Sequence, residues 1–166
     1  MLAEPLLRPF AWGDIPDLTA IYRHYVETSV VTFDLEPPTE LKMAEKFGAI
    51  AAAGHPLIVA ETEGKVIGYA YASTYRPRPA YRFTCEDSVY LHPQATGRGL
   101  GSLLLARLIE DARGLGLKQM LAVITAGTSS SIALHEKFGF RHIGRHEKLG
   151  FKFDAWHDIV HMQRAL

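Results

Sequence analysis

The chain is 166 residues long, enough for one domain with a real core and too short for two full catalytic domains. Hydrophobic residues at 48% and charged residues at 22% give a globular balance that excludes a disordered, collagen-like or disulfide-scaffold chain. Lys+Arg and Asp+Glu both number 18, so no global basic field exists to attract nucleic acid or an anionic membrane.

A single cysteine, Cys85, cannot form an intrachain bridge, and the opening MLAEPLLRPF lacks the layout of a secretory signal. A reduced, cytoplasmic protein is expected. No apolar run reaches the roughly 18–20 residues that span a bilayer, so a soluble protein without membrane partners is expected.

After an extended opening at 5–10, Asp14 is placed to cap a helix whose apolar face is Leu18, Ile21, Tyr22 and Tyr25, ending near Thr28. Two prolines mark 33–38 as a loop, and Thr39 then caps a second helix carrying Met43, Phe47 and Ile50, closed by Gly54. From Pro56 the texture turns to strand: 57–61, a turn at Glu63-Gly64, then 66–75, which read as a hairpin. Arg76-Pro77-Arg78-Pro79 breaks that run before a third strand over 83–91.

That strand leads into Gln94-Ala95-Thr96-Gly97-Arg98-Gly99-Leu100-Gly101, whose glycines open a helix with Leu103, Leu104, Leu108 and Ile109. The stretch 119–125 has a continuous apolar centre and predicts a strand buried on both faces. A short helix over 129–138 ends at Gly139, and two last strands, near 140–145 and 158–164, flank a turn at 152–156. The order β-α-α-β-β-β-α-β-α-β-β predicts an α/β (α+β) domain spanning 1–166, a mixed sheet with helices on both faces.

A strand running into a glycine turn that starts a helix presents free backbone N–H groups at the positive end of the helix dipole, which suits a phosphate. A P-loop is excluded, because no lysine follows Gly101 in the required place. A dinucleotide fingerprint fails too, because its third glycine position holds Ser102. What remains is Gln94-x-x-Gly97-x-Gly99, which resembles motif A, Gln/Arg-x-x-Gly-x-Gly/Ala, of the GCN5-related N-acetyltransferases (GNAT).

The resemblance covers nearly the whole chain and narrows to the branch that acetylates phosphinothricin, methionine sulfoximine and methionine sulfone. Five ordered blocks carry it: His24-Tyr25-Val26-Glu27-Thr28-Ser29; Phe33 with Glu36-Pro37; Glu86-x-Ser88-Val89-Tyr90; Leu134-His135-Glu136 with Gly139-Phe140; and Trp156-His157-Asp158. It implies a twisted, mostly antiparallel sheet of about six to seven strands. It also implies an enzyme that moves acetyl from acetyl-CoA to the amine of a small amino-acid-like molecule within a ternary complex, without a metal.

The cofactor residues implied are Val89, Tyr90 and Leu91 along the pantetheine arm, Gly97, Arg98, Gly99, Leu100, Gly101 and Ser102 around the pyrophosphate, and Thr128 and Lys137. Thr128 departs from the branch's usual asparagine; a threonine offers one short hydroxyl where an amide offers a donor and an acceptor. Ser129 and Ser130 either compensate or cap the following helix, the second being the simpler reading.

Acetylating an amine requires taking its proton and stabilising a leaving thiolate. Glu86, a carboxylate in a mostly apolar strand, reads either as an ion-pair partner of Arg82 or, through its motif, as the general base. His135 stands where many family members carry a tyrosine acid, and it is assigned a catalytic role without a direction of proton transfer. In the family the strand bearing this glutamate splays from its neighbour, opening a V for the reactants.

Phe33, Arg76, Arg78 and Tyr81 match the branch's acceptor pocket, where two arginines suit an anionic group; a solvated loop is the plain alternative. Cys85 reads as a small core residue, and the histidines show no ligand cluster, so no metal is expected. The resemblance places Trp156-His157-Asp158 at a dimer interface or pocket rim and implies a homodimer. The rival readings are an acetyltransferase for peptide N-termini, polyamines or aminoglycosides, and a non-catalytic acyl-CoA-binding module.

Overall fold

The computed structural model describes residues 4–166; Met1 to Ala3, part of the segment read above for a signal, lie outside the described residues. The first strand, β1 (Leu6–Pro9), is followed by a single 3-10 turn and helix α1 (Ile15–Thr28). Asp14 occupies the position before α1 but does not cap it with its side chain. Its carboxylate instead accepts from the Ala11 amide at 2.8 Å and from the Arg8 guanidinium at 2.8 and 2.9 Å. Asp17, in the first turn, accepts from the Val66 amide at 3.1 Å and so ties the start of α1 to the sheet.

Helix α2 (Glu40–Ala52) is capped as its sequence predicts, Thr39 Oγ1 accepting from the Lys42 amide at 3.3 Å. Strands β2 (Leu57–Thr62), β3 (Lys65–Thr74) and β4 (Thr84–Leu91) form an antiparallel run. Helix α3 (Leu100–Gly114), β5 (Gln119–Thr125), helix α4 (Ser129–Lys137), β6 (Arg141–Lys152) and β7 (Ala155–Ala165) complete the chain. All elements of the sequence reading occur, in the order expected.

The seven strands lie in the order β1-β2-β3-β4-β5-β7-β6, antiparallel throughout except for the parallel β4–β5 pair. Two apolar cores sandwich the sheet. One packs α1 and α2, through Leu18, Ile21, Met43 and Phe47, on Val59, Tyr69 and Tyr71. The other packs α3, through Leu104, Leu105 and Leu108, on Ala60, Ala70, Cys85, Met120 and Met162, with α4 alongside. Side chains alternate faces along a strand, so neighbours in β4 serve different cores.

Three further sequence expectations change. Strand β5 is fully buried on one face, by Met120, Ala122 and Ile124, while on the other Val123 is 39% exposed and only Thr125 is buried. Strands β6 and β7 are longer than predicted: β6 continues through register breaks at 142/144 and 146/150, so its apolar pattern loses its period. Their turn, Phe153-Asp154, has φ of 52° and 55° at both residues, the left-handed pair that a tight hairpin needs, without the usual glycine or asparagine. Finally, neither Ser129 nor any other side chain caps α4.

Candidate active site

Strands β4 and β5 pair over three residues only, Thr84 with Gln119, Cys85 with Met120 and Glu86 with Leu121. Beyond Glu86 they part, and a cleft of about 370 Å³ fills the gap. Its walls come from both sides of the sheet: Tyr25 and Val31 from the α1 side, Ser131 and His135 from α4, with the Ser88–Leu91 edge of β4 between them. The cleft therefore joins the two faces.

At one end lies the glycine turn. Gly97 and Gly99 have φ of +73° and +78°, and a β carbon at either would meet no protein atom within 4 Å, so the room in front of the turn is open to a ligand. Helix α3 starts there with no side-chain cap, leaving the amides of Leu100, Gly101 and Ser102 without intrahelical acceptors. Free amides at the positive helix end and space that a Cβ would occupy are what a diphosphate requires.

Of the cofactor residues expected from the sequence, Val89, Tyr90, Leu91, Gly97, Gly99, Gly101, Ser102 and Thr128 line the cleft. Arg98 is exposed beside the turn, and the Leu100 side chain is 4% exposed in the core, so only its main chain faces a ligand. Lys137 Nζ donates to Ser102 Oγ at 3.2 Å, which places its charge over the first turn of α3. Ser130 and Ser131 line the cleft beside Thr128.

Tyr25 explains part of its sequence block: its hydroxyl donates to the Leu91 carbonyl at 2.6 Å and fixes the end of β4. Thr125 Oγ1 donates to the Val30 carbonyl at 2.7 Å, tying the loop after α1 to the far wall.

Glu86 and His135 lie on opposite faces. Glu86 shares the α1/α2 face with Tyr90, whose ring packs 5.2 Å from Tyr22 and 5.4 Å from Tyr69. Among the described residues Glu86 makes no ion pair or side-chain hydrogen bond; Arg82, the alternative partner, lies over the Phe83 ring at 4.3 Å and donates to the Pro79 carbonyl. Burial first, and then the charge of Asp87, push the Glu86 carboxyl up, while Lys46 pulls it down. Lys46 reaches over from α2, its ammonium 5.3 Å from the Tyr22 ring and 5.0 Å from the Tyr71 ring.

On the other face His135 is 5% exposed, with Nε2 2.7 Å from Asp87 Oδ2 and Nδ1 2.7 Å from the Ser131 carbonyl oxygen. Burial alone would disfavour its charged form; the bond to Asp87, that carboxylate's charge and the Ser131 carbonyl outweigh it and raise the imidazole above its usual value. Sequence reasoning missed Asp87 and Lys46. Asp87 carried a signal, a second carboxylate in an apolar strand beside Glu86, whereas Lys46 has only the look of a solvated helix lysine.

Neither Glu86 nor the expected acceptor residues Phe33, Arg76, Arg78 and Tyr81 line this cleft. Phe33 stands over the β6–β7 hairpin, its ring 6.1 Å from that of His157. Arg76 lies over Tyr75 at 5.1 Å, and Tyr75 meets Tyr81 edge-on at 5.5 Å, in the loop that joins β3 to β4. Glu86 pairs with Ser73, so that loop leaves β3 and returns to β4 near the carboxylate. Arg78 is exposed at its crest. Tyr22 OH donates to Asp34 Oδ2 at 2.6 Å and meets Thr32 Oγ1 at 2.7 Å, holding the loop that bears Phe33. A parallel pair that opens beyond its third residue, with an amide cradle at one end and carboxylates on both faces, is the layout of an acyl-transfer site.

Comparison with known proteins agrees. The sequence model of the acetyltransferase (GNAT) family matches residues 18–140. The chain is 46% identical over 154 residues to a phosphinothricin N-acetyltransferase of Alcaligenes faecalis, covering 92% of this chain and 78% of the relative. It is 38% identical over 162 residues to an L-methionine sulfoximine/L-methionine sulfone acetyltransferase of Pseudomonas aeruginosa, covering 96% and 94%. A crystal structure of a GNAT superfamily phosphinothricin acetyltransferase from Sinorhizobium meliloti, in complex with AcCoA, superposes with a TM-score of 0.96 at 45% identity, covering 99% of this chain and 89% of that one. The chain belongs to the acetyltransferase (GNAT) family, and it is an acetyl-CoA-dependent N-acetyltransferase.

Proposed function

We propose that the acceptor is the free amine of a small anionic amino-acid analogue of the phosphinothricin, methionine sulfoximine or methionine sulfone type. The observation that carries this reading is the opening of the β4–β5 pair directly after Glu86 and Leu121, which leaves Glu86 on the α1/α2 face at the edge of a cleft lined by its neighbours Asp87 and Ser88. The acceptors named for the relatives support the substrate class.

Bound acetyl-CoA supplies an activated thioester. The main chain from Gly97 to Ser102 holds its diphosphate, and the Ser88–Leu91 edge of β4 aligns its arm as an added strand would be aligned. Glu86, raised by burial and set on the acceptor face, takes the proton of the amine directly or through water, so that the lone pair can attack the acetyl carbonyl; the C–S bond then breaks and coenzyme A leaves as its thiolate, which takes a proton from solvent. Arg76, Arg78 and Lys46 would supply the cations for the anionic acceptor, and Phe33 and Tyr81 its aromatic contacts. The exposed apolar side chains of the hairpin, Leu149, Phe151, Phe153 and Trp156, support a homodimer through β6 and β7. No helix among the described residues is long and apolar enough to cross a membrane, and Cys85 is a buried free thiol; both fit the cytoplasm.

The test is thiol release from acetyl-CoA with phosphinothricin, methionine sulfoximine, methionine sulfone and ordinary amino acids as acceptors, for wild type and Arg78→Ala. Activity confined to the anionic analogues, and lost with them in the variant, supports the assignment. Equal turnover of all acceptors, or of polyamines and peptide N-termini, overturns it.

A further inference from the structure

The two ring nitrogens of His135 both end on acceptors. A carbonyl oxygen has no proton to give, so Nδ1, 2.7 Å from Ser131 O, must be the donor of that bond. A neutral imidazole carries one N–H, which would leave a bare lone pair at Nε2 facing the Asp87 carboxylate at 2.7 Å. Here the two side chains are only 6% and 2% exposed, so little water is present to relieve that repulsion. A second proton must lie between Nε2 and Oδ2.

The ring has no other polar edge. Phe140 covers it edge-on at 4.9 Å, and the charged group facing it from the strand packed against α4 is Asp87. No free nitrogen remains to carry a proton to or from the cleft.

We infer that His135 acts as a fixed imidazolium, and that Asp87 and His135 together are a positioning pair, not a proton carrier. The place of the pair explains what it positions. Asp87 is the first residue of β4 beyond the last pairing with β5, and it leaves β5 to bind α4 instead. That bond holds the V open from the α4 face and fixes the main chain on either side of Asp87, orienting Glu86 on the opposite face and the Ser88–Leu91 edge within the cleft. The inference rests on Glu86 being the base and leaves it as the residue that moves the proton of the amine.

The protonation state is read directly by long-range ¹H–¹⁵N NMR of the full chain with labelled histidine, His135 being assigned by the loss of its signals in His135→Gln. Both His135 nitrogens should show protonated shifts from pH 6 to 8.5. In Asp87→Asn the second proton should come off within that range, with kcat reduced at least tenfold and the KM for acetyl-CoA raised, because the Ser88–Leu91 edge loses its anchor. Glutamine keeps an N–H for Asp87 but has no proton to exchange, so His135→Gln should hold kcat within about tenfold of wild type, where loss of a proton carrier costs 10²–10⁴-fold. It should also leave the alkaline side of the pH profile in place. A bare-nitrogen shift at either position at pH 7.5 overturns the inference, as does a His135→Gln enzyme as inactive as Glu86→Gln. The NMR result needs no acceptor, so finding no amine that is acetylated would count against the proposed function and not against the protonation state.

Discussion

The ring of Phe33 lies directly over Gly150, where a β carbon would overlap ring atoms Cε2, Cζ and Cδ2. The glycine in β6 is therefore the seat of an aromatic side chain 117 residues earlier in the chain. The buried Lys152 reinforces the contact, its ammonium donating to the Thr32 carbonyl at 2.9 Å. Gly150→Ala should displace Phe33 and cost about 1–3 kcal/mol, the usual range for overpacking. Acceptor KM should rise while the KM for acetyl-CoA stays constant, since the glycine turn is on another element. Chemical unfolding of Gly150→Ala, Phe33→Ala and the double variant measures the coupling; a double variant no more stable than the sum of the singles predicts would sink it.

With Glu86 as the proposed base, its carboxyl should set the acid side of the pH profile. Burial and Asp87 raise its carboxyl above the ordinary 4.5, and Lys46 opposes them. The base works only when ionised, so kcat/KM should fall as pH drops through this raised value. Lys46→Met removes the opposing charge, lets the carboxyl rise further and moves the acid limb to higher pH. Glu86→Gln should lose about 10²–10⁴-fold in kcat. A Lys46→Met profile superposed on that of wild type would show that the ammonium does not sense this carboxylate.

Much of the fold was legible because it follows from local chemistry. Thr39 caps α2, Glu63-Gly64 turns β2 into β3, and Gly97 and Gly99 adopt the positive φ that their spacing before a helix suggests. The turn of the C-terminal hairpin fell within the 152–156 read from the sequence, but the strand lengths were less legible, because β6 is an edge strand exposed on both faces whose register breaks twice. Val123 misled by composition: an apolar run reads as buried on both faces, yet one face borders the gap left by β4. The site was half visible. Glu86, His135 and the glycine turn stand in motifs, but the Asp87–His135 bond joins residues 48 apart and exists only once α4 docks on β4.

The glycine turn offers a sharper test of cofactor binding. Gly99 lies before α3 at φ +78°, with nothing within 4 Å of a β carbon, so alanine there meets no protein atom and suffers only from its backbone conformation. Gly99→Ala should lose about 1–2 kcal/mol of stability, the cost of a left-handed non-glycine residue. Where a diphosphate lies against the turn, the methyl also occupies its space, so the KM for acetyl-CoA should rise by more than tenfold with acceptor KM unaltered. Calorimetric titration with coenzyme A checks this without any acceptor, and wild-type affinity in the variant would place the diphosphate elsewhere.

Far from the cleft, Arg8 holds the entry to α1 by forking between two carboxylates, with Glu61 at 2.7 Å and Asp14 at 2.8 Å, the latter side chain only 8% exposed. Burial, the largest influence on Asp14, would raise its carboxyl, but the bonds from Arg8 and from the Ala11 amide together bring it below the ordinary 3.8. A depressed carboxyl binds fewer protons folded than unfolded, so its contribution is complete above about pH 4 and lost as the pH falls through the folded value. Arg8→Met removes the main opposing bonds and leaves burial dominant, which reverses the shift. The variant should be about 3 kcal/mol less stable at pH 7, because a charge is left buried without its partner. Acidification neutralises that stranded carboxylate, so the gap to wild type should narrow between pH 7 and pH 4, and Asp14→Asn should partly rescue Arg8→Met at neutral pH. Urea unfolding across that range reads both effects; a gap that widens on acidification would mean that Asp14 is not held by Arg8.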